Sequence, residues 1–292
     1  MLKRRSSPYT ATKKVRYYTS THEDFVDSPD QYFRIDDKWQ WYHGNSFGHK
    51  VLFYCFYAIF WLVAFIYAHA VLHLRIVGKK KLRSSRHDAY FMYANHTQPF
   101  GDICITVLEN WPHRITAIMA QANFGIPVLG PLLHHCDFLA VPKTDAQRAG
   151  YKRSMTQLVT HDHVACQVYP EAHVWPWATT IRPFTSTSMR YPVRYNVASY
   201  TSTTTYQSRG QGKKPRAVVY IDGPFYPRVS GDEQTQKDDL QEQIYSTLVA
   251  RSKLSTVTWI DYEKGDRRKQ SDQPVKSDQR GNSGNSRGEK KE

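Results

Sequence analysis

The stretch AYFMYANHTQPFGDICITVL, residues 89–108, holds a strand, a loop and a helix in direct succession. Its first part, residues 89–93, is a short apolar run rich in aromatics, as a buried strand is. Pro99 and Gly101 then break the pattern into a loop. A helix is expected over residues 102–108, with Asp102 in the first turn, where a carboxylate suits the exposed amides. A strand feeding a helix through a loop is the repeating unit of α/β folds, and ligands bind at such strand ends. His96 stands on that loop. Asp102 can approach it from the helix start, hold one imidazole nitrogen and leave the other to take a proton from a hydroxyl. On spacing alone, a capping aspartate next to an unrelated loop histidine is the commoner arrangement.

Outward from this unit the alternation continues. Further strands are expected at residues 74–77, 115–119, 138–141, 165–169, 197–203 and 217–221. Helical patterns cover residues 145–159, with Thr144 as the cap, and 236–253, with Leu240, Ile244, Leu248 and Val249 on one face. The expected fold is α/β, a mixed central sheet flanked by helices, over residues 74–262. The chain of 292 residues is long enough for one domain of about 200 residues plus appendages. No internal repeat is visible.

Ahead of the domain lies VLFYCFYAIFWLVAFIYAHAVL, residues 51–72 (the membrane helix is taken to end at residue 73), without a single Asp, Glu, Lys or Arg. That length suffices to cross a bilayer as a helix. A buried core helix and a helix lying in the interface are the other readings. Lys79, Lys80, Lys81, Arg83 and Arg86 follow, and positive charge marks the cytoplasmic side. Residues 1–50 form a polar, aromatic arm without a clear period, expected to lie on the domain or the membrane interface. Residues 263–292 are expected to be a disordered basic tail.

The formal net charge is +14, which favours anionic partners and does not choose among them. Nucleic acid is not expected as a partner, because the basic residues gather at the termini and after the apolar run and no binding module is evident. The four cysteines show no paired spacing and are expected to be reduced thiols. His134, His135, Cys136, His161, His163 and Cys166 invite a zinc reading but lack a recognised ligand spacing. No secretory leader is visible at the start.

Two further segments carry chemistry. VYPEAHVWPWATTIRPF, residues 168–184, is a strand running into a turn with Glu171 and His173, with Arg182 beyond. A carboxylate and a cation there suit a polar headgroup, and equally a structural turn. HHCDFLAVPKT, residues 134–144, puts Lys143 before a helix whose N-terminus can hold an anion. A solvated lysine is the default there.

In this order the segments resemble the glycerolipid acyltransferases, those that acylate glycerol 3-phosphate or 1-acylglycerol 3-phosphate. NHTQPFGD resembles the His–Asp block, FLAVPK the second block, and YPEAHVWPW the third, with Ala172–His173 in place of the usual Gly-Thr. RYPVRYNVASY, residues 190–200, resembles the fourth. The likeness is greatest to a Gram-positive bacterial subgroup. Five residues separate His96 from Asp102 where four are usual, and a bulge at Gly101 is the expected accommodation.

The resemblance implies direct acyl transfer in phospholipid biosynthesis, with His96 and Asp102 catalytic. Lys143 and, less directly, Arg182 are implied on the acceptor phosphate, with Glu171 and His173 in the binding site. It implies acyl-CoA or acyl-carrier protein as co-substrate, no cofactor and no metal. Membrane lipid and a glycerophosphate acceptor are the implied partners, in the cell membrane with the domain on the cytoplasmic side. A membrane-anchored relative that has lost catalysis and binds lipid or a partner is the alternative.

Overall fold

The computed structural model describes residues 14–26, 32–44, 46–210 and 212–265. The tail expected from residue 263 is described only to Gly265; its remainder, like residues 1–13 of the arm, lies outside the described residues.

The arm opens with β1 (Lys14–Tyr18) and leads to α1 (Phe47–Tyr67), whose start is capped by the Ser46 side chain accepting from the amide of His49. The last turn widens into a π-turn ending at Leu72. β2 (Arg75–Val77) and a 3₁₀ turn over Lys79–Ser85 come next. Then follow β3 (Tyr90–Ala94), α2 (Gly101–Asn110), β4 (Ile115–Met119), α3 (Leu129–His135) and β5 (Leu139–Ala140). α4 (Asp145–Thr156) starts with a reciprocal capping box between Thr144 and Gln147. β6 (Ala165–Val168), α5 (Arg190–Tyr195), β7 (Ala198–Gln207), β8 (Arg216–Phe225), α6 (Glu233–Ser252) and β9 (Ile260–Lys264) complete the order.

Seven strands form one sheet in the order β2-β8-β7-β3-β6-β4-β5. All neighbours are parallel except β7 and β8, so the sheet is mixed and mainly parallel. The pleat of β3 sends Phe91 and Tyr93 to the core shared with Leu240, Ile244 and Leu248 of α6. It sends Tyr90 and Met92 to the opposite face, beneath Ile105 of α2. This is the expected α/β layering, with β3 in the middle.

α1 lies along α2 and runs against it. Ala64 and Ala68 meet Cys104 and Leu108 in a small cluster whose side chains permit close approach. Midway along α1 Tyr57 stacks on Trp111 and Trp61 packs against it at a tilt, and at the end of α1 Tyr67 meets Phe100. Phe53, Tyr57, Phe60, Ala64, Ala68 and Leu72 form one buried stripe along the helix. The other face leaves Tyr54, Ile59, Leu62 and Ile66 more than half exposed. The helix over Phe47–Leu72 is long and apolar enough to cross a membrane.

The arm packs on the domain. Ile35 and Trp41 are buried in the main core, and the Trp41 indole lies where a side chain on Gly150 of α4 would sit. β1 pairs in parallel with β9, Lys14 opposite Ile260 and Tyr18 opposite Lys264.

Candidate functional site

The site grows from the end of β3. Asn95, fully buried, extends that strand with its side chain: its Nδ2 donates to the carbonyl of Thr204 at 3.0 Å, and its Oδ1 accepts from the Thr204 amide at 2.8 Å. The backbone therefore turns at a fixed point. His96 emerges at the carboxyl end of a central strand, with a fifth of its side chain exposed.

His96 Nδ1 donates to Asp102 Oδ2 at 2.6 Å. The same oxygen accepts from the amides of Thr97 and Gln98, each at 3.0 Å. Three donors on one carboxylate oxygen hold it in a single orientation and fix the imidazole tautomer. Nε2 is left as the nitrogen able to take a proton. The ring stacks on Tyr169, centroids 4.3 Å apart, whose hydroxyl donates to the carbonyl of Asp102. Tyr206 steadies the loop from below: its hydroxyl lies 2.6 Å from Thr97 Oγ1 and accepts from Gln98 Nε2 at 2.7 Å.

The expected bulge at Gly101 is absent. Gly101 is the first residue of α2. A side chain there would run into Leu72, at 2.9 Å, and Tyr67. The glycine makes room for α1, and the longer loop closes through the two amides on Asp102.

The segment after β6 clamps the loop from the other side. Glu171 Oε2 accepts from the His96 amide at 3.0 Å, and its Oε1 accepts from the Arg182 amide at 2.6 Å. The Arg182 guanidinium donates to Glu171 Oε2 and to the carbonyls of His173 and Thr21. It lies over the Trp175 ring, and both charged side chains are almost wholly buried. Burial pushes the Glu171 carboxyl above its ordinary value, against the pull of the Arg182 guanidinium. The amides of Trp175 and Trp177 donate to the carbonyls of His96 and Thr97. Behind this clamp Trp175 stacks on Tyr262 of β9 and contacts Tyr18 of β1.

The structure thus brings His96, Asp102, Glu171 and Arg182 into one connected network, with Arg182 turned inward. His173 pairs instead with Asp24 of the arm, Nδ1 to Oδ2 at 3.0 Å. Lys143 is exposed beyond β5. It lies at the same carboxyl edge but three strands from β3, or about 14 Å at ordinary strand spacing. Asn95, Tyr169 and Tyr206 did not stand out in the sequence; each acts through a hydrogen bond or ring contact that spacing does not reveal.

The six His and Cys residues of the zinc reading are dispersed. His134 stacks on Trp39 and His135 on Phe56, while Cys136 and Cys166 are buried in the core. His161 and His163 line a separate pocket beside His113. A different trio, His43, His49 and Asp137, has its ligand atoms within 4.8 Å of one another, but Arg114 already pairs with that carboxylate.

No family model matches the chain, and no curated protein matches it in sequence. Among solved structures, the crystal structure of the 1-acyl-sn-glycerophosphate (LPA) acyltransferase PlsC from Thermotoga maritima is similar over 72% of this chain and 99% of that one. Identity is 13% and the TM-score 0.46. A likeness of that degree carries neither an activity nor a site from one chain to the other.

Proposed function

We propose that this protein is an acyltransferase of phospholipid synthesis. It moves a fatty acyl group from a thioester, acyl-CoA or acyl-carrier protein, to a hydroxyl of a glycerophosphate such as 1-acylglycerol 3-phosphate. The observation that carries the reading is the 2.6 Å contact of His96 Nδ1 with Asp102 Oδ2, at a strand end where the imidazole is partly exposed, within a motif that resembles the glycerolipid acyltransferases.

Nε2 of His96 takes the proton of the acceptor hydroxyl as its oxygen attacks the thioester carbonyl. The tetrahedral intermediate expels the thiolate, which recovers the proton from the imidazolium, and Asp102 stabilises that cation meanwhile. Glu171 and Arg182 act as positioning residues: they hold the backbone of residue 96 and the segment across from it. Arg182 is committed to that network, which leaves Lys143 as the cation for an acceptor phosphate.

The exposed apolar face of α1 supports a place on the membrane. Its buried stripe runs the length of the helix, so upright insertion would drag the domain into hydrocarbon. The helix then lies flat, outer face in the lipid, with the end near Phe100 beside the catalytic loop.

The test is an assay of the full chain in detergent or vesicles with long-chain acyl-CoA and 1-acylglycerol 3-phosphate, beside His96→Ala. Transfer by the wild type and its loss in the variant support the reading. A wild type inert toward every glycerophosphate acceptor and both thioester donors overturns it.

A further inference from the structure

At the other end of α2, about 10 Å along the axis from Asp102, a pocket of about 900 Å³ opens between the 3₁₀ turn and Trp111. Lys80, Arg83 and Arg86 form its basic side, and all three are exposed. Lys81, next to them, is bound to Asp222. Lys79, also in the lining, donates to the carbonyl of Leu108 at 2.9 Å and so covers the last turn of α2.

Glu109 lines the pocket from within and is 1% exposed. Its Oε2 accepts from Ser202 Oγ at 2.5 Å, and its Oε1 is buried without a hydrogen-bond partner. An unpartnered buried oxygen is costly and calls for a ligand or a water. Burial pushes this carboxyl to about 8, so near neutral pH it is mostly uncharged and can donate to an anion.

Leu82, Tyr90 and Pro112 add apolar lining, and Trp111 at the rim is 44% exposed and packed at 5.6 Å on Trp61 of α1. The pocket therefore adjoins the helix whose outer face is apolar and exposed. An indole at that border suits the lipid–water interface.

We infer that this pocket is a discrete site for the phosphate headgroup of an anionic phospholipid, separate from the His96–Asp102 pair. The phosphate is held by Arg83, Arg86 and Lys80, Glu109 reaches its oxygens or a headgroup hydroxyl, and the acyl chains lie along α1. The site rests on the reading that the outer face of α1 meets lipid, and it does not depend on acyl transfer.

The experiment is calorimetric titration of the full chain in neutral detergent with dihexanoylphosphatidylglycerol, with inorganic phosphate in a parallel arm. It is paired with sedimentation on phosphatidylcholine vesicles with and without phosphatidylglycerol. Saturable binding of one short-chain lipid is expected. Arg83→Glu with Arg86→Glu weakens it by about fivefold for each basic residue reversed or more, and binding to pure phosphatidylcholine is unchanged. Lys213→Glu with Lys214→Glu, the same charge change on the β7–β8 turn, leaves the short-chain lipid in place. His96→Ala also retains the binding, so a wild type inert in acyl transfer but selective for the lipid sinks the proposed activity and not this site. Equal weakening by the two charge-reversal pairs, unsaturable binding, or inorganic phosphate binding as tightly as the lipid overturns the inference.

Discussion

The two ends of α2 hold carboxyl groups in opposite circumstances. At its start Asp102 accepts three N–H donors on one oxygen, where the helix dipole also favours negative charge. Seven residues on, Glu109 lies at the end that disfavours negative charge, with one hydroxyl donor and an unpartnered oxygen. One helix thus presents a carboxylate able to orient a base and a carboxyl held mostly neutral. Burial is what holds the Glu109 carboxyl up, and the two sites differ in the supply of donors, three N–H groups against one hydroxyl.

The comparison breaks first at His96. His96→Ala is expected to lower acyl transfer by about 10²–10⁴-fold, with thermal unfolding nearly unchanged, because the ring is partly exposed and its loss leaves Asp102 two amide donors. An equal loss of stability would mean that the pair serves the fold.

Glu171→Gln tests the clamp around that end. It leaves the Arg182 guanidinium buried without its counter-charge and is expected to cost about 3–5 kcal/mol, read by thermal or denaturant unfolding. Activity falls with it, as the His96 amide loses a charged acceptor.

The opposite end is probed by pH. The folded-state value of Glu109 lies near 8, above the ordinary 4.5, chiefly through burial and with a further push from Asp102, against Ser202 and Lys79. The folded protein holds that proton more tightly than the unfolded chain. This group therefore costs stability progressively as pH rises from 4.5 to 8, with the full cost above. Glu109→Gln removes the cost: unfolding midpoints of variant and wild type should diverge across that window, by on the order of a few kcal/mol at the alkaline end. A constant difference across the window would show that Glu109 is not the titrating group. Combining the variant with His96→Ala should leave the divergence intact.

The smallest effect is expected at Gly101→Val, where the added side chain meets Leu72 and Tyr67. Overpacking of this kind costs about 1–3 kcal/mol. Since it displaces α1 beside the His96 loop, a fall in transfer out of proportion to the unfolding shift would sharpen the contrast with the Glu109 end.

Much of the central sheet is legible because its strands are short apolar runs between loops. β4 coincides with residues 115–119 as expected. β7 runs on to Gln207, past the expected 203, because a threonine-rich stretch looks polar while its β-branched residues suit a strand interior. The helix expected at 145–159 ends its regular part at Thr156 and finishes in a π-turn. α3 has only seven residues with a proline inside, too short to show a period.

β1 is illegible for a different reason. Its partner, β9, is remote in sequence, and neither strand alternates clearly. In the site, His96, Asp102 and Glu171 are visible because a strand-to-loop transition can be read locally. The inward turn of Arg182 is not visible, since a lone arginine after a turn reads the same whether it faces solvent or a buried carboxylate. The absence of a bulge at Gly101 follows from the crossing of α1, which only the tertiary structure contains.

The pairing of β1 with β9 bears on the timing of biosynthesis. The clamp over the His96 loop leans through Trp175 on tyrosines from both strands. During translation the earlier strand waits for the later one to leave the ribosome. Until then α1 can form while the His96 loop lacks full support, so, on the proposed function, contact of α1 with lipid is expected to precede competence for acyl transfer.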